Sequence, residues 1–130
     1  MEKDRAGRTA LINACIEADP ALAEQLLEDG ADPNTVDNDG WSALHFAAAN
    51  SDGLLVRRLL EKGALMEIRD CYGNSPLWRA VMSYRGNGEA IIALLQADAD
   101  PDAVNDHGVS PRSLALTISN YDVSRFFESQ

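Results

Sequence analysis

Apolar positions along the chain fall into short clusters that recur at matching offsets. Leu11 with Ala14, Leu44 with Ala47 and Leu77 with Ala80 form one series, and Ala115 stands in the corresponding place farther on. A second cluster follows each of these, marked by Leu26-Leu27, Leu59-Leu60, Leu94-Leu95 and finally Phe126-Phe127. Short apolar clusters separated by polar, glycine-bearing stretches predict two helices per unit, and the small alanines allow neighbouring helices to approach closely.

The polar stretches repeat as well. Gly7, Gly40, Gly73 and Gly108 are separated by 33, 33 and 35 residues. Three residues before them stand Asp4, Asp37, Asp70 and Asn105, and two residues after them stand Thr9, Ser42, Ser75 and Ser110. A short Asp or Asn side chain can bond turn amides, glycine supplies a positive φ, and a hydroxyl caps the helix that begins next. Pro76 and Pro111 fall at the first helical position, where no amide hydrogen is needed. Gly30 and Gly63 mark the ends of second helices, and in the third unit Asp98 stands in that place, a residue type that tolerates the left-handed conformation better than most. These offsets divide one domain, residues 1–130, into four units at about 4–36, 37–69, 70–104 and 105–130.

The run Asp37-Asn38-Asp39-Gly40-Trp41-Ser42-Ala43-Leu44-His45-Phe46-Ala47-Ala48, completed by Leu59-Leu60-Glu61-Lys62-Gly63-Ala64, resembles the signature of ankyrin repeats. The resemblance implies an all-α ankyrin-repeat solenoid of four stacked helix-turn-helix units, joined by short projecting β-hairpin loops. The first and last units are then caps with a polar outer side. In the last unit Arg112 replaces the repeated leucine, and Leu114 is expected to take over the inward position. Family members commonly carry a histidine that bonds neighbouring loops, a structural role expected of His45. Trp78 holds that place in the third unit and is expected to be semi-buried.

Hydrophobic residues make up 45% of the chain and charged residues 25%, a balance that predicts a folded domain. The net charge of −10 argues against nucleic acid or an anionic membrane as direct ligand and fits a basic protein partner. Cys15 and Cys71 are far apart and form no CxxC, as expected of a reduced, cytoplasmic protein. The first eight residues carry five charges rather than an apolar export segment, and no later stretch has the apolar length of a membrane span.

Candidate chemistry is sparse. His45 and His107 lie on different units, and no nucleophile, base or ligand set converges in sequence. Asp98, Asp100, Asp102 and Asp106 lack the glycine and terminal glutamate of a helix-loop-helix calcium site. Gly86-Asn87-Gly88 lacks the lysine of a phosphate loop. The chain is therefore expected to be no enzyme and to hold no metal or cofactor.

Residues that do not repeat are free to differ with function. Those beside the signature glycines include Arg8, Asn38, Asp39, Trp41, Tyr72, Asn74 and His107. Asn50 and Met82, at the ends of first helices, are expected to line a groove. The third unit is longer by two residues, within Ser83 to Gly88, where Tyr84 and Arg85 on an elongated loop could reach a partner. Trp41 and Tyr72, on neighbouring loops, are the expected anchors, since losing an interface aromatic costs about 2 kcal/mol or more. Asp37 and Asp39 are the carboxylates whose charge reversal should slow association with a basic partner.

The segments Tyr72 to Val81, Gly108 to Ala115 and Asn120 to Val123 are similar to small stand-alone bacterial ankyrin proteins encoded beside toxin genes. That similarity implies an immunity protein that covers a cognate toxin or effector, and the net negative charge, which disfavours self-association, predicts a monomer. The alternative is an adaptor or regulatory subunit of a cellular protein with no toxin involved.

Overall fold

The structure, a computed structural model, describes residues 3–118 and 122–128. Among the described residues seven α-helices follow one another: α1 (Ala10–Ile16), α2 (Pro20–Glu28), α3 (Ala43–Ala49), α4 (Gly53–Glu61), α5 (Pro76–Met82), α6 (Glu89–Gln96) and α7 (Pro111–Thr117). A 3-10 turn at Val123–Phe127 follows α7. Asn120 and Tyr121 lie outside the described residues.

The caps read from the sequence start the first helix of each pair. Thr9, Ser42, Ser75 and Ser110 accept through their side chains from the amides of Ile12, His45, Trp78 and Ser113. Each of these helices is seven residues long, too short to persist alone, so it depends on its neighbours for stability. Those neighbours are like helices: α1 packs on α3, α3 on α5 and α5 on α7, while α4 packs on α6. Leu11, Leu44 and Leu77 are buried where the first helices stack, beside Ala14, Ala47, Ala80 and Ala115. Leu27, Leu59, Leu94 and Phe127 close the core from the second row. The architecture is thus an all-α repeat solenoid.

The hairpins are shorter than expected. Among the described residues there is no strand, only an isolated bridge between Val36 and Ser42. Asp37 N donates to the Trp41 carbonyl and Gly40 N to that of Asp37, which turns the chain within five residues and leaves no length for a ladder.

Two departures from the repeat are resolved locally. Asp98 has φ +70°, matching Gly63 at +93°, and Ala99 N bonds the Leu94 carbonyl as Ala64 N bonds that of Leu59. Arg112, in the column of core leucines, ties Asp102 and the Phe127 carbonyl together, while Leu114 packs partly buried against the core.

The longer loop corrects an expectation. Tyr84, read as reaching for a partner, is buried and meets Phe126 edge-on at 5.6 Å. Phe126 also covers Gly88 so closely that a Cβ there would strike its ring. The extra residues therefore form a seat for the C-terminal turn. Arg85 remains exposed, but its guanidinium bonds the Tyr84 carbonyl at 2.7 Å within the same loop. No helix among the described residues is long and apolar enough to cross a membrane.

Candidate functional site

The site begins with the turns. Asp37 Oδ1 accepts from the amides of Asp39 and Trp41, both at 2.9 Å, and Asp70 Oδ1 does the same for Tyr72 and Asn74. Each tip is then bonded to the next by one main-chain contact. Asn38 N donates to the Ala6 carbonyl, Cys71 N to that of Asp39 and Asp106 N to that of Tyr72, at 2.9, 2.9 and 3.1 Å. The signature glycines leave little room for a side chain where tips approach: an added Cβ would lie 2.9 Å from Asn38 N at Gly7, 3.0 Å from Asp70 Cα at Gly40 and 2.8 Å from Asp106 N at Gly73. The tips thus stand in fixed register, and their variable side chains are presented at set positions.

Between these tips and the first helices lies an open pocket of about 360 Å³, lined by Arg8, Asp37, Asp39, Trp41, Phe46, Tyr72 and Arg79. Trp41 is half-buried, its ring 4.7 Å from Phe46 and 5.8 Å from His45. Arg79 lies 4.4 Å above the Trp41 ring and donates through Nε and Nη2 to Asp70 Oδ2 at 2.9 and 2.6 Å. Asp70 has a fully buried side chain. Arg8 lies 5.7 Å from the Phe46 ring centre and 3.7 Å from Asp37 Oδ2.

The structure gathers only part of the sequence-derived set here. Arg8, Asp39, Trp41 and Tyr72 share the pocket, and Met82 and His107 are exposed elsewhere. Asn38 and Asn50 are exposed but stitch units together, donating to the carbonyls of Arg5 at 2.9 Å and Cys15 at 2.8 Å. Asn74 turns inward: it is 4% exposed, and its Oδ1 accepts from Asn105 Nδ2 at 2.8 Å. Asp37 is 2% exposed at its side chain and holds the turn, so reversing its charge would break the fold before it tested steering. Asp39 alone of that pair is a fair probe.

Phe46 and Arg79 were missed. They occupy the column six residues after the signature glycines, with Asn13 and Leu114, and that column does not repeat. Variation there was the available signal.

His45 locks the tips from beneath. It is fully buried, its Nδ1 accepting from Ser42 N at 3.1 Å, which places the ring hydrogen on Nε2, donated to the Asn74 carbonyl at 2.9 Å. Burial holds its pKa below the ordinary histidine value of 6.5. A base whose folded pKa is depressed contributes stability in full above the unfolded value, lost as pH falls below it towards the folded pKa. The unfolding free energy from urea titrations is therefore expected to fall as pH is lowered from about 7.5 to about 5.5, by up to about 1.4 kcal/mol per pH unit in the affected interval. His45→Asn should remove that share of the slope, whereas His107→Asn, at an exposed position, should leave it unchanged. An identical slope in both variants would exclude His45 as its source.

Trp78, in the corresponding place of the third unit, is half-buried, and its Nε1 is buried without a partner among the described residues. No group of three or more His, Cys, Asp or Glu among the described residues is placed to hold a metal ion. The thiols differ sharply. Cys15 is buried, and burial raises its pKa to about 12, whereas Cys71 is exposed on its tip.

Known proteins bear on this arrangement. A sequence profile described as Ankyrin repeats (3 copies) matches residues 11–105. The chain is 40% identical over 103 residues to the E3 ubiquitin-protein ligase KEG of Arabidopsis thaliana, covering 78% of this chain and 6% of that protein. It is 34% identical over 125 residues to Neurogenic locus notch homolog protein 1 of Xenopus tropicalis, covering 95% of this chain and 5% of that one. Protein PhlB of Serratia liquefaciens is 38% identical over 112 residues, 85% of this chain and 48% of PhlB. The chain thus spans a small part of the first two relatives and about half of the third.

Proposed function

The chain belongs to the ankyrin-repeat family, in general a non-enzymatic class of protein-binding module, and from that premise we propose that it is a bacterial immunity protein. In this reading it is a cytoplasmic monomer that covers the working surface of a basic toxin or effector. Asp39, Trp41 and Tyr72 form the centre of the contact, with Met82 and His107 at its edges. The observation that carries the reading is the open pocket in which aromatic rings and an exposed carboxylate meet on a chain of net charge −10. Aromatic anchors supply affinity, and excess negative charge accelerates encounter with a cationic surface. The similarity to a bacterial protein over 85% of the chain adds to it.

A second reading, an adaptor or regulatory subunit, is favoured by KEG and Notch, in which the matching stretch is a small part of a long protein. Affinity capture from the source cell, followed by expression of the captured protein with and without this chain, separates the two. Growth arrest by the captured protein, relieved by the wild type, supports immunity; a harmless partner supports the adaptor. Trp41→Ala is expected to weaken the complex about 30-fold, equivalent to about 2 kcal/mol. Titration calorimetry with unchanged affinity would remove Trp41 from the contact.

A further inference from the structure

Inside the pocket a guanidinium, an aromatic ring and a carboxylate meet twice. Arg8 lies over Phe46 beside Asp37, and Arg79 lies over Trp41 while bonded to Asp70. In both sets the arginine and the ring come from neighbouring units, and the carboxylate is the one that opens a tip turn. Both cations are thereby matched by buried carboxylates. The fold uses the same three-part contact on either side of the Phe46–Trp41 pair.

One ring and one carboxylate on the pocket wall are left over. Tyr72 is 58% exposed, and its ring has no aromatic or cationic neighbour among the described residues. Asp39 is exposed, and among the described residues its side chain makes no hydrogen bond or ion pair. Their tips are joined by the bond from Cys71 N to the Asp39 carbonyl at 2.9 Å. Against two arginines, Asp37, Asp39 and Asp70 supply three carboxylates, so Asp39 carries the local surplus.

We propose that a partner protein completes this third set with an arginine side chain, its guanidinium lying on the Tyr72 ring and paired with the Asp39 carboxylate. The assignment rests on the protein-binding reading above and names the chemistry that the pocket receives. Arginine is favoured over lysine because a planar guanidinium stacks on a ring while offering two donors to a carboxylate, as Arg79 does over Trp41 with both its donors on Asp70 Oδ2. An anionic ligand is disfavoured, because Arg8 and Arg79 are already neutralised and the unmatched charge is negative.

The test is an amide-resolved NMR titration of the intact chain with N-acetyl-arginine amide, its lysine counterpart and the uncharged citrulline counterpart. Arginine should shift the signals of residues 39–41 and 71–74 saturably, lysine should bind at least threefold more weakly, and citrulline should leave them in place. Asp39→Asn and Tyr72→Leu, both at exposed side chains, should each weaken arginine binding tenfold or more without moving the urea midpoint. Equal shifts with citrulline, shifts confined to other residues, or unaltered affinity in Asp39→Asn would overturn the proposal. If a captured partner binds Asp39→Asn as tightly as wild type, the arginine assignment falls while the protein-binding reading stands. If the arginine compound titrates as described and no protein is captured, the guanidinium chemistry of the pocket stands, while the partner protein named as its source falls with that reading.

Discussion

Asp70→Ala is expected to destabilise the fold by about 4 kcal/mol, since removing one partner of a buried ion pair leaves the other charge uncompensated. Asp70 does two jobs from a side chain with no exposed area. Its Oδ1 satisfies the Tyr72 and Asn74 amides, and its Oδ2 accepts both donors of Arg79. Alanine orphans all four donors, under a guanidinium whose side chain is only 17% exposed. Asp70→Asn separates the roles. Asn105 holds the same place in the last turn, where its Oδ1 accepts from His107 N and Val109 N, so an amide suffices for the turn. Asparagine should therefore cost about half as much as alanine, the remainder being the ion pair. Urea unfolding of the two variants checks this, and equal losses would mean that the ion pair contributes everything and the turn bonds nothing.

Gly40→Ala is expected to cost about 3 kcal/mol, against about 1 kcal/mol for Gly108→Ala. Both glycines have positive φ, +78° and +75°, so both alanines carry the left-handed penalty. Only Gly40 faces a neighbour: its added Cβ would lie 3.0 Å from Asp70 Cα and from Cys71 N, main-chain atoms that cannot swing aside. Gly108 has nothing within 4 Å among the described residues. The difference between the two midpoints therefore reports the close approach of successive tips alone. Similar losses at both positions would show that backbone conformation, not crowding, selects glycine at Gly40.

What the sequence discloses here is what depends on near neighbours. The turn carboxylates, the hydroxyl caps and the left-handed Asp98 act within a few residues of themselves, so their types and spacing suffice to place them. Tyr84 was misplaced because its burial depends on Phe126, far away in the chain, and a longer loop reads the same whether it projects or is covered. Asn74 was misplaced for a related reason. It varies across units as a contact residue would, yet its Oδ1 is taken up as the acceptor for the Asn105 amide, which stands where the other turns open with Asp. A varying column can thus record an interior compensation as readily as a binding preference. Phe46 and Arg79 show the converse, since one face of a packed helix looks into the groove while the others are buried.

The contrast between the two cysteines gives the groove a built-in attachment point. A thiol that ionises only near pH 12 and lies in the core resists alkylation in the native state, while its counterpart sits on the tip next to Tyr72. A maleimide dye added to the wild-type chain would thus mark one position, at the rim of the pocket, without mutagenesis. Its emission would report occupancy directly, which turns the search for an unidentified companion into a fluorescence screen.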